Sequence, residues 1–155
     1  MSRNSFGIER AGPYSAVVLA SGTTALQPEV HANRLLLITV AADAYTLNLP
    51  RAYGTGDVYE FLLTIAHTSG SIIINAQAGV PSNIIVGNIF QHHSSGNLLL
   101  RFASTANDII TLNNTTTGGL AAGDRIRLVD ASPNTWRVVD SLTTSSGAQA
   151  TPFSG

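Results

Sequence analysis

The sequence contains no cysteine and no lysine. The first absence excludes a disulfide scaffold, a zinc–thiolate centre and a thiol nucleophile. The second leaves eight arginines as the only permanent cations. Charged residues of both signs make up 11% of the 155 residues, against about a quarter in an average domain. A formal net charge of −1 lacks the basic surplus that phosphate contacts need, so no nucleic-acid partner is expected. No apolar run approaches the roughly 18 residues of a membrane span, and no membrane partner is expected. Ala16–Ala20 is too short for the apolar region of a secretory signal. Hydrophobic residues nevertheless reach 44%, with 14 glycines. The chain is long enough for one domain with a real core, and too apolar for intrinsic disorder.

Short apolar runs separated by turn residues fill the middle of the chain. Strands are expected at 15–20, 34–40, 45–49, 57–65, 71–76, 83–89, 97–102, 108–112, 124–129 and 135–139. Such spacing predicts an all-β fold: an antiparallel β-sandwich, jelly-roll-like, with extended terminal arms. The division is an N-terminal arm over 1–14, a β-sandwich domain over 15–140 and a C-terminal tail over 141–155, in which Pro152-Phe153 is a possible anchor. The best helical candidate is Ala20–Ala32, interrupted by Gly22 and Pro28. Ser69-Gly70-Ser71 and Ser95-Gly96-Asn97 each lead into an apolar triplet, an echo that equivalent hairpin turns explain without a repeat array.

Two segments alternate. Tyr59, Phe61, Leu63 and Ile65 share a face, as do Ile126 with Leu128 and Trp136 with Val138 around a turn at Ala131–Asn134. Trp136 therefore reads as core. Four other segments do not alternate: Leu35–Ile38, Ile72–Ile74, Ile84–Val86 and Leu98–Leu100 are apolar at every position. Successive side chains in a strand point to opposite faces, so these strands present apolar groups on both. Two sheets bury only their inner faces, and the outer ones need a further cover, expected to be another subunit.

No catalytic constellation is found. P-loop, G-x-G-x-x-G, H-E-x-x-H and G-x-S-x-G patterns are missing, and the nine acidic residues are scattered. The adjacent pair His92-His93 would point its rings to opposite faces of a strand, with His31 and His67 far away in sequence. No enzymatic activity, metal, cofactor or small-molecule substrate is expected. Arg125, Arg127 and Arg137 share the outer face of one hairpin and are possible polar partner contacts; local compensation by Asp124, Asp130 and Asp140 is the alternative. Arg3 and Arg10 lie in an arm able to wrap a surface and order on binding.

Several elements together resemble small all-β virion proteins of tailed bacteriophages, in particular head decoration (cement) proteins. These are Leu49-Pro50 with Gly54–Phe61, Ser69–Ile74, Ile84–Gly87, and Gly123–Leu128 ending in Asn134–Val138. The resemblance implies a homotrimer on the outer surface of the capsid, made in the host cytoplasm, that binds the major capsid protein where capsomers meet. On that reading Arg3, Phe6, Ile8 and Arg10 are expected to contact the capsid. Leu36, Ile38, Ile73, Ile85 and Leu99 are expected at the subunit interface, although Leu35, Leu37, Ile72, Ile74 and Leu98 could equally face outward. The alternative is a tail-fibre or receptor-binding β module that recognises a host glycan through loops such as Asn113–Thr117, with Tyr14, Tyr45 and Tyr53 as free aromatics.

Overall fold

The computed structural model describes residues 15–76 and 83–155. Among these residues the chain is all-β apart from one helical turn. The elements are β1 (Ala16–Val18), β2 (Gly22–Ala25), α1 (Pro28–His31), β3 (Arg34–Ile38), β4 (Tyr45–Asn48), β5 (Val58–Leu63), β6 (Ile72–Asn75), β7 (Ile84–Val86), β8 (Asn88–His93), β9 (Leu98–Phe102), β10 (Ile109–Leu112), β11 (Arg125–Ser132), β12 (Thr135–Ser145) and β13 (Phe153–Ser154).

The first six strands alternate between two sheets. In the first sheet β1, β3 and β5 run parallel, with Ala16 beside Leu35 and Leu35 beside Glu60. In the second β2, β4 and β6 run parallel, with Gly22 beside Tyr45 and Tyr45 beside Ile72. The chain thus winds through three stacked coils of two strands each. The remaining strands complete both sheets, giving the orders β1-β3-β5-β11-β12-β8-β9 and β13-β10-β6-β4-β2, with β7 also on β12. β11 is antiparallel to β5 and β12, while β12 is parallel to both β7 and β8. The sheets are therefore mixed, where a wholly antiparallel pairing was expected. The coils are the reason: a strand returning to the same sheet after a crossover lies parallel to its predecessor. The structural repeat lies in residues 16–75, not in the Ser-Gly echo.

One core fills the space between the sheets. Leu36, Ile38, Tyr59, Phe61, Leu63, Ile126, Leu128 and Trp136 come from the first sheet; Tyr45, Leu47, Ile72, Ile74, Ile110 and Leu112 come from the second. Burial alternates along β4, β5 and β6 and from Leu35 to Ile38 in β3, so even the doubly apolar Leu35–Ile38 and Ile72–Ile74 send alternate residues inward. Trp136 meets Tyr59 edge-on at 5.3 Å, and its indole N–H donates to the Pro50 carbonyl. Pro133-Asn134 closes the β11–β12 hairpin, with Asn134 at φ +62°.

The Ala20–Ala32 segment is a strand followed by a turn rather than a helix. Pairing with β4 holds Gly22–Ala25 extended, and only Pro28–His31 is helical, with its proline in the first turn. At the other end, β12 runs on to Ser145 and β13 pairs with β10, burying Pro152 and Phe153. Residues 141–155 are thus built into the fold, which the sequence reading set apart as a tail. Their inward side chains are polar: Ser141, Thr143 and Ser145 are buried and donate to the carbonyls of Asn88, Phe90 and His92.

Strand β12 shifts register against β11 between Arg127 and Leu128, leaving Val139 and Asp140 both exposed. Gly87, between β7 and β8, lies against this bulge at φ +114°, and a Cβ there would stand 2.7 Å from the Val138 carbonyl oxygen. Gly96 has a similar φ of +109° with nothing within 4 Å. Gly96→Ala should cost about 1–2 kcal/mol from backbone strain alone. Gly87→Ala adds the close approach and should cost about 3 kcal/mol or more. Equal losses in urea denaturation would show that the β7–β8 approach to Val138 is not tight.

Candidate interaction surface

The β8–β9 hairpin forms the margin of the first sheet. Its turn, Ser94–Gly96, is fixed by the His93 carbonyl accepting from the Gly96 N–H and by the His93 ring lying 2.6 Å from the Ser95 hydroxyl. β9 then reads Leu-Leu-Leu-Arg-Phe, and its apolar residues are all exposed, Leu98 at 57% and Phe102 at 67%. Phe90, opposite Leu100 on β8, is also exposed. The pairing decides where the backbone groups point. His93 and Asn97 are hydrogen-bonded across the hairpin, as are Gly87 and Ala103. In an antiparallel ladder every second pair is bonded, so Leu99 and Arg101 face β8. Leu98, Leu100 and Phe102 turn their N–H and C=O groups out at the edge.

A buried polar network holds this margin in place. Gln91 is fully buried and donates to the Thr116 carbonyl; its side-chain oxygen accepts from Arg101. Arg101 also donates to the Gln149 carbonyl at 2.5 Å, and the Gln149 side chain donates back to the Gln91 carbonyl. Arg101, the only charge on β9, is thereby committed inward. A cleft of about 480 Å3 lies alongside, lined by Leu100, Arg101, Phe102, Ser104, Asn107, Thr151 and Phe153.

The opposite margin is β1. Ser15 and Leu19 spend backbone groups on β3, accepting from Leu35 and donating to Leu37. Ala16 and Val18 consequently face outward along the edge, and Val18 is 63% exposed. Between the margins, the outer face carries an apolar row interrupted once: Val18, Leu37 and Leu62 in register, then Arg125, then Leu142.

The charges gather at the centre of this face. Arg125 Nε donates to Asp140 at 2.9 Å, which holds the Asp140 carboxyl below its usual range. Arg127 Nε is 3.9 Å from Glu60, an ion-pair distance too long for a hydrogen bond. Arg137 projects from the same face, exposed and opposite Val129. Of the three expected compensating carboxylates only Asp140 reaches this cluster. Asp124 accepts from Thr144 and Ala121, and Asp130 binds the 53–55 loop.

The structure redistributes the expected contact residues. Leu36, Ile38 and Ile85 are core, because pairing register turns them inward; their neighbours Leu35, Leu37 and Ile84 face out and are half-buried. Ile73 is half-buried on the outer face of the second sheet, and Leu99 is exposed on β9. Arg3, Phe6, Ile8 and Arg10, like Tyr14, lie outside the described residues. Tyr45 is buried in the core, so it is no free aromatic; Tyr53 is 65% exposed, with the Arg51 guanidinium 5.4 Å from its ring centroid. The Asn113–Thr117 loop is tied up internally: the Asn113 side chain accepts from the N–H groups of Thr115, Thr116 and Thr117. His67 is fully buried, its Nε2 2.8 Å from the Asp43 carbonyl. No group of three metal-ligating side chains occurs among the described residues. Val18, Phe90 and Phe102 were not singled out from sequence, and Leu100 was named only within the doubly apolar Leu98–Leu100 run.

Compared with known proteins, the chain matches no family model, no curated protein and no solved structure.

Asp130 is the main electrostatic clasp of the loop that displays Tyr53. Burial pushes its carboxyl up, but the N–H groups of Tyr53, Gly54 and Thr55 and the Thr55 hydroxyl outweigh this and leave it below its ordinary value. A lowered folded pKa contributes stability above the unfolded value, which is lost as pH falls through the folded one. Asp130→Asn should be less stable than wild type at neutral pH, and the gap in urea midpoint should shrink below about pH 4. A gap that stays constant or widens toward acid would contradict the clasp.

Proposed function

We propose that this chain is a structural virion protein, a trimeric decoration protein that binds the outer surface of a tailed-phage head and ties neighbouring capsomers together. The observation that carries the reading is the first sheet: both of its margins are apolar and carry no free charge, and its outer face is largely apolar. An isolated domain in water gains nothing from such margins; a component of a larger protein assembly does. The fold assignment that goes with this reading is a β-sandwich of the jelly-roll kind. The single core shared by two sheets supports the sandwich, and the parallel coils are its departure from the antiparallel form.

The mechanism needs no covalent chemistry. Three copies joined in one particle present three weak capsid contacts at high effective concentration. A ligand that binds the assembled shell and not its separated subunits stabilises the shell by mass action. Residues 1–14, with Arg3, Phe6, Ile8 and Arg10, are the proposed capsid-binding arm, the major capsid protein its partner, and the outer surface of the virion its location.

Light scattering of the purified protein should give the mass of a trimer at micromolar concentration, and the protein should co-sediment with capsids that lack it. Deleting residues 1–10 should preserve the mass and abolish co-sedimentation. A monomer that binds host cells saturably and ignores capsids would overturn the reading in favour of a receptor-binding module.

A further inference from the structure

The two margins of the first sheet, β9 and β1, are complementary in direction, in chemistry and in the backbone groups they leave without a partner among the described residues. We infer that they are the two halves of one copy-to-copy contact: β9 of each copy pairs with β1 of the next, closing the first sheets of the oligomer into a continuous ring. The inference rests on the structural, oligomeric reading above and names the surface that builds it.

Direction comes first. Following the sheet from β1, strands β3 and β5 keep its direction, β11 reverses it, β12 and β8 restore it, and β9 reverses it again. β9 therefore runs opposite to β1. Copies related by rotation about an axis along the strands would set β9 antiparallel to the next β1, the more stable ladder. The backbone groups match as well. Leu98, Leu100 and Phe102 turn theirs out on one margin, and Ala16 and Val18 do so on the other. The residues with free groups also carry the outer-face side chains. Pairing would therefore set Leu98, Leu100 and Phe102 beside Ala16 and Val18 of the next copy, extending the apolar row across the junction.

Charge is compatible. Exposed edges are ordinarily protected by lysine, proline or inward charges. Neither β1 nor β9 contains lysine or proline; Arg101, their only charge, does point inward, but it is already hydrogen-bonded to the Gln91 side chain and the Gln149 carbonyl. No like charges meet at the junction. Area argues for closure over a single contact. A stable interface covers about 800 Å2 per partner, more than one three-residue strand supplies. In a closed ring every copy contributes both margins and none is left unpaired, as a head-to-tail contact allows.

The test uses the full-length chain and two exposed positions whose side chains lie outside the core. Val18→Lys and Leu100→Lys are each checked for a β-type far-UV circular dichroism spectrum and measured by light scattering. Each alone should fall from the trimer mass to the monomer mass. Their equimolar mixture can rebuild only one junction, β9 of the Val18 variant on β1 of the Leu100 variant, and cannot close a ring, so it should stay below the trimer mass. Val139→Lys, on the exposed bulge at the sheet centre, should retain the trimer. Ala16→Lys repeats the β1 test if the Val18 variant does not fold. A Val18 variant that folds and keeps the wild-type mass overturns the inference. So does a dimeric Val18 variant beside a monomeric Leu100 variant, the pattern of β9 pairing with itself. Wild-type co-sedimentation with capsids is read separately. If it persists while the edge variants keep their mass, the inference fails and the function stands; if it is absent while the variants dissociate, the reverse holds.

Discussion

Coil-on-coil pairing of the first six strands is the constraint from which the rest of the molecule follows. Each strand must place its N–H and C=O groups on neighbours, and the winding path supplies them from the preceding and following coils. The register so fixed decides which residue of every apolar pair enters the core. Leu36 and Ile38 stack beside Phe61 and Leu63, while Leu35 and Leu37 stay outside beside Glu60 and Leu62. A slip of one residue would exchange the two sets, and since both are apolar along β3, it is the neighbouring alternation in β5 that pins the register. Tyr59, Phe61 and Leu63 leave β5 one acceptable face.

The second half of the fold solves a different problem. β12 continues past the apolar core, and its inward residues become Ser141, Thr143 and Ser145, with Gln91 opposite. These groups are buried and hydrogen-bonded, a condition under which polar side chains are tolerated in an interior. The same network commits Arg101 inward and fastens the C-terminal segment through Gln149. The scarcity of charge acquires a physical context here. Hydroxyls and amides, not ion pairs, stabilise the polar interior, and the ion pairs found among the described residues sit on the centre of one outer face. Two interior carboxyls are exceptions: Asp130, clasped by the 53–55 loop, and Asp124, which burial pushes above its ordinary value despite hydrogen bonds from Thr144 and Ala121.

Much of the architecture was legible from residues alone. Most strands of the middle, the β11–β12 hairpin, the burial of Trp136 and the outward set of Arg125, Arg127 and Arg137 follow from alternation and turn chemistry; Asn88–His93 does not, since a single strand was expected over 83–89. What could not be read was decided by tertiary pairing. Gly22–Ala25 has no apolar pattern of its own and is a strand because β4 lies beside it. Residues 141–145 look like a polar tail because their inward side chains are hydroxyls. The parallel pairing leaves no mark in a single strand, since a doubly apolar run suits either orientation. For the candidate surface, the sequence indicated that apolar faces remained uncovered, but parity within Leu35–Ile38 and Ile84–Val86 was undetermined, so Leu36, Ile38 and Ile85 were assigned outward although they are core. The exposed margin at β9 follows only from its place at the end of the sheet.

In the proposed ring, the margin backbone groups of the first sheet that have no partner among the described residues pair with other copies of the chain. Residue-resolved amide hydrogen exchange on the wild-type protein, under conditions where it is oligomeric, reads those groups directly. In the ring, the amides of Leu100, Phe102 and Val18 should exchange as slowly as those of β11 in the middle of the sheet. Exchange at the rate of the exposed loop residue Thr105 would contradict it.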